Sequence, residues 1–102
     1  MGGYAMAIGV LFDFPGVTQA QYDAVCRKLN NGRLLSALSD WPGKGILSHV
    51  AGPTTDGWRV VDVWASESAF QEFGEKLMPI LKEVGLPQVP PQIFHIHNIV
   101  KA

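Results

Sequence analysis

From Met6 to Phe14 the chain reads MAIGVLFDF, closed by Pro15 and Gly16. A mostly apolar run of that length between turn residues fits a strand. Alternation puts Met6, Ile8, Val10 and Phe12 on one face and Ala5, Ala7, Gly9 and Leu11 on the other. Neither face suits water. Trp58 to Ala65 has the same character, with Trp58, Val60 and Trp64 on one side and Val61 and Val63 on the other. Any fold for this chain must therefore cover both faces of a sheet, and no single motif constrains it more.

The remaining segments say what supplies one of those covers. Thr18 suits a helix N-cap, and Tyr22, Val25, Cys26 and Leu29 then recur at helical spacing up to the Asn30, Asn31, Gly32 stop. Arg33 to Lys44 reads as a connector with a short helical turn before Trp41, Pro42 and Gly43. Gly45 to Ala51 and Trp58 to Ala65, separated by GPTTDG, predict a hairpin. Ser66 caps a second helix whose apolar face is Phe70, Phe73, Leu77, Ile80, Leu81 and Val84, ending at Gly85. Pro79 inside it predicts a kink or restart near Met78. Ile93 to Val100 alternates as a fourth strand.

The order β, α, β, β, α, β predicts an α+β, ferredoxin-like fold spanning residues 1–102 as one domain, with a four-stranded antiparallel sheet in the order 4-1-3-2. Both helices then cover one sheet face. A symmetric partner is the economical cover for the other, so a homodimer is expected.

Composition narrows the function. The chain has 102 residues, 47% of them hydrophobic, enough for a core without disulfides. Eight basic and nine acidic residues, for a net charge of -1, leave no footprint for nucleic acid or an anionic membrane. No apolar stretch is long enough to span a bilayer. The single Cys26 excludes an internal disulfide framework, and MGGYAMAIGV does not read as a signal peptide, so a cytoplasmic location is expected.

The segments GILSHVAG, GWRVVDVWASESAF and FHIHN resemble the dimeric α/β barrel superfamily, which includes the antibiotic biosynthesis monooxygenases and small bacterial proteins. The resemblance implies two sheets closing face to face into a barrel, with a pocket between sheet and helices in each subunit. It also implies that Trp64 lines that pocket, and alternation carries Asp62, Val60 and Trp58 to the same side. Relatives that degrade haem place a His on the following helix. Here QEFGEKLMP contains none, and the strand-one Asn those enzymes use is missing too.

Several residues can carry chemistry. His49, His95 and His97 all fall on expected strands. Two of them share one face, but strands two and four lie at opposite edges, so no metal site is expected and the imidazoles are either hydrogen-bonded packing groups or acids and bases. Asp62 sits between Val61 and Val63, where a carboxylate needs a reason. It is either a pocket base or the partner of Ser48 across the hairpin or of the other subunit; Arg59, its near neighbour, points to the opposite face. Ser48 and His49 likewise face opposite ways, which excludes a nucleophile and base pair. Tyr22 either packs or reaches a pocket with its phenol. Cys26 behaves as a small apolar group. Trp41, Trp58, Trp64, Phe70 and Phe73 can form an aromatic wall.

The functional expectation is a small enzyme acting without a bound cofactor on a planar, mostly apolar aromatic or polyketide-like metabolite, as a monooxygenase, cyclase or isomerase. His49 or His97 and Asp62 are its acid and base, Tyr22 its oxyanion stabiliser, and Trp58, Trp64, Phe70 and His95 its substrate contacts. The alternative is a non-catalytic, ligand-binding or stress-related module using the same pocket.

Overall fold

Strong alternation and two well-marked helix caps carry through into the computed structural model, which describes residues 6–101. The order of elements is β1 (Ile8–Pro15), α1 (Gln19–Leu29), a 3-10 turn (Leu38–Asp40), β2 (Ile46–Pro53), β3 (Gly57–Trp64), α2 (Glu67–Val84) and β4 (Gln92–His95). All strand pairs are antiparallel, in the order β2-β3-β1-β4, which counted from the other edge is 4-1-3-2.

One sheet face carries the core. Ile8, Val10, Phe12 and Phe14 of β1 and Trp58 and Trp64 of β3 are buried in one cluster with Val25 of α1 and Phe70, Phe73, Leu77 and Leu81 of α2. Both helices therefore pack on that face, and each fully buried side chain of this size contributes about 1.5–3 kcal/mol. Thr18 caps α1 through a reciprocal exchange with Gln21. Ser66 caps α2, and Gly85 ends it in the left-handed region at φ 89°. Lys28 and Glu83 tie the two helices together at the surface, 2.9 Å apart.

The hairpin is not fully regular. Ile46 pairs with Trp64, but the next pairs are Ser48 with Val63 and His49 with Asp62, so the register slips by one residue at Leu47. The end of the β1–β3 pairing is also tight: a Cβ at Gly57 would fall against the Phe14 carbonyl oxygen, and only glycine fits there.

Three sequence expectations need correction. The fourth strand runs Gln92–His95 instead of Ile93 to Val100, with one further backbone bond from Ile96 to Ala7, and all four of its residues are exposed. The two prolines before it fix its start, and at the sheet edge no core contact extends it. The helix does not restart near Met78: α2 runs unbroken through Pro79. Pro79 and Glu75, whose carbonyl loses its usual donor, are both exposed, so water can replace the missing bond. Strand one begins at Ile8, leaving Met6 outside and exposed, while Ala5 lies outside the described residues.

Gly57→Ala is expected to cost about 2 kcal/mol or more, because backbone rather than a flexible side chain must yield. Denaturant unfolding of the variant measures it.

Candidate functional site

The slip at Leu47 builds the site. Regular pairing from Ile46 onward would have set Ser48 opposite Asp62; the extra residue brings His49 there and turns its ring to the helix-covered face. His49 Nδ1 lies 2.5 Å from Asp62 Oδ1, and Trp64 Nε1 donates to Asp62 Oδ2 over 3.3 Å. Asp62 is only 3% exposed and is the one buried charged residue among those described, so it depends on these two donors. The sequence expectation of a Ser48 partner is thereby corrected.

On its other side His49 meets α1. Tyr22 sits four residues past the Thr18 cap, on the inner helix face, and its hydroxyl is 2.7 Å from His49 Nε2. Trp41, delivered by the 3-10 turn, packs edge-on to the imidazole with ring centroids 4.8 Å apart. Asp40 stiffens that turn by accepting from the backbone amides of Ser36 and Ala37, and these bonds hold its carboxyl below the usual carboxylate range.

Asp62, His49 and Tyr22 form one continuous chain of hydrogen bonds. An ionised Asp62 accepts the Nδ1 proton, leaving Nε2 as acceptor for the phenol. The phenol oxygen keeps lone pairs for a further donor. Burial, with the Cys26 thiol one helical turn on and the Asp62 carboxylate acting the same way, pushes the Tyr22 phenol well above its ordinary 10.0. Tyr22 is therefore not a resting phenolate. It can pass a proton: its oxygen takes one from a ligand as its own moves to His49, and Asp62 stabilises the resulting imidazolium.

The chain of bonds sits in the wall of a cavity of about 60 Å³ under the helices. Phe14, Val25, Leu35, Trp41, Trp58 and Leu81 contribute to a lining that is otherwise almost wholly apolar. An apolar cavity of roughly 150 Å³ takes a benzene ring, so this one admits only a few heavy atoms as it stands. A wider groove of about 350 Å³ lies between α2 and the connector after it, lined by Phe70, Met78 and Val89 among others. Its lining has no titratable side chain, so size and chemistry part company here.

The structure brings together Tyr22, His49, Asp62 and Trp58. Trp64 is fully buried behind Asp62 against Phe73, ring centroids 4.9 Å apart, and is not part of the cavity lining. Phe70 lines the groove. His95 lies on β4 at the far edge of the sheet from β2, His97 lies beyond that strand, and both are exposed. Arg59 pairs bidentately with Asp13 on the opposite sheet face. What sequence reasoning missed was the linkage, because a one-residue bulge leaves no mark in composition or periodicity.

No protein-family model matches the chain, and no curated protein matches it. Among solved structures the chain is similar to a conserved protein from Methanosarcina mazei Go1, with 13% sequence identity and a TM-score of 0.53, covering 90% of this chain and 92% of that one. A likeness at this identity concerns the fold alone. It supports a small α+β fold with a four-stranded antiparallel sheet, and the antibiotic biosynthesis monooxygenase family is not confirmed by it.

A half-buried neutral phenol makes stability sensitive to base. Because the folded-state value of Tyr22 is raised, its contribution is complete below pH 10.0 and is lost as pH rises beyond it. Chemical denaturation at pH 9 and at pH 11 is expected to show a smaller loss in Tyr22→Phe than in the parent.

Proposed function

We propose that the protein is a small enzyme that moves a proton on a mostly apolar ligand, with Tyr22 as the group facing the ligand, His49 as the proton acceptor behind it and Asp62 as the charge that holds and stabilises the imidazole. The observation carrying this reading is the unbroken sequence of short contacts from Asp62 through His49 to Tyr22 at an apolar cavity. A packing role for Tyr22 alone accounts for its ring and leaves unexplained why its hydroxyl ends on an oriented imidazole. Proton abstraction begins isomerisation, cyclisation and cofactor-free oxygenation alike, so the reading fits the class the sequence resemblance implied. Cavity size favours a compact reacting end; a fused ring system requires the Leu35 and Trp41 connector to move outward.

Turnover of small enolisable ketones, β-keto compounds and phenols by the parent, Tyr22→Phe, His49→Ala and Asp62→Asn is the test. Losses of about a hundredfold or more are expected in each variant, the usual worth of a positioned acid or base. Binding by the parent with no turnover of any of them favours the non-catalytic module instead.

The homodimer and the barrel-type assembly belong to the same proposal. The sheet face away from the helices carries Leu11, Val61 and Val63 with Val50 and Phe94, the last two 63% and 51% exposed. A second copy presenting the same face would cover this patch, and the Arg59 and Asp13 pair at its margin suits the polar rim of such an interface. Sedimentation velocity is expected to give a dimer for the parent at micromolar concentration and a monomer for Phe94→Asp. A folded monomeric parent would overturn the assembly without touching the relay.

A further inference from the structure

One polar group at the cavity takes no part in the hydrogen-bond chain. Trp58 is 8% exposed, its indole forms part of the cavity wall, and its Nε1 is the one buried side-chain polar atom among the described residues that has no hydrogen-bond partner. The other ring that packs inside β3, Trp64, has its N–H satisfied by Asp62. Packing alone does not call for an indole at position 58, since a phenyl ring would fill apolar space without burying an unpaired donor. The Trp58 ring lies 5.2 Å from that of Tyr22, and both residues line the same small cavity.

We infer that Trp58 binds a carbonyl oxygen of the ligand through its indole N–H, which makes the ligand class a small ketone or related carbonyl compound with hydrogen on the carbon next to the carbonyl. The inference rests on the reading of the cavity as the ligand site. In that pose the C–H bond next to the carbonyl breaks, and its electron pair forms the C=C bond of an enolate as the carbonyl π pair moves onto oxygen. The proton passes to the Tyr22 oxygen while the phenol proton goes to His49 Nε2. Trp58 then faces the oxygen on which negative charge collects, and the hydrogen bond strengthens as the charge develops. Return of the proton to carbon restores the ketone, so nothing is oxidised or reduced.

Acetone and 2-methylpropene form a matched pair of probes, alike in shape and different in the acceptor. In amide and indole NMR spectra of the full chain, acetone is expected to move the Trp58 indole N–H signal downfield while 2-methylpropene is not. Acetone is expected to bind Trp58→Phe about tenfold more weakly than the parent, with 2-methylpropene unchanged. Equal effects of the two probes, no binding of either to the parent, or an indole signal held by a resident water only would each overturn the inference. The spectrum of the parent decides this even where Trp58→Phe fails to fold. Exchange of acetone hydrogen for deuterium, followed in the same samples, reports on the relay separately: an indole shift without exchange keeps the Trp58 site and removes the catalytic reading.

Discussion

A carboxylate almost sealed from water governs this molecule. Asp62 stands on the central β3 strand beneath two helices, where an ionised group survives only if donors are fixed around it. Trp64 supplies one from two residues along the same strand, and His49 supplies the other from the neighbouring strand. The second depends on the irregularity at Leu47, since an even ladder would have left a serine opposite the acid. Once His49 is held by Asp62, its remaining nitrogen points at α1, and the Thr18 cap sets the phase that brings Tyr22 to meet it. A packing problem in the sheet and a chemical group at the cavity thus have a common solution.

Much of the architecture was legible because it follows from local rules. The caps at Thr18 and Ser66, the stop at Gly85 and the alternation in β1 and β3 each depend on a few adjacent residues, and they appear where the pattern puts them. The features that were not legible depend on non-local circumstances. Whether Pro79 breaks a helix is decided by solvent on its side of α2, and the length of β4 is decided by what lies beyond the sheet edge. The candidate site shows the same division. Tyr22, His49, Asp62 and Trp58 stood out as residue types needing explanation, but their association turns on a register shift that alternation cannot reveal. The short turn before Trp41 is legible in the sequence, but the packing of that ring on the histidine is not, because it joins residues on separate elements.

The two hollows make a useful contrast. The larger one, between α2 and the proline-rich segment, is bordered by side chains with nothing to titrate, whereas the smaller one has Asp62, His49 and Tyr22 in its wall. Reactivity in proteins follows convergent polar groups in a dry setting more closely than it follows empty space.

The connector that carries Leu35 and Trp41 over the smaller hollow is fastened to α2 from outside: Lys76 Nζ donates to the Pro42 carbonyl over 3.0 Å, at an exposed position. A latch of that kind is weak and open to competition from salt and solvent. An outward swing of this connector would therefore be opposed by a lysine that belongs neither to the cavity wall nor to the hydrogen-bond chain inside it.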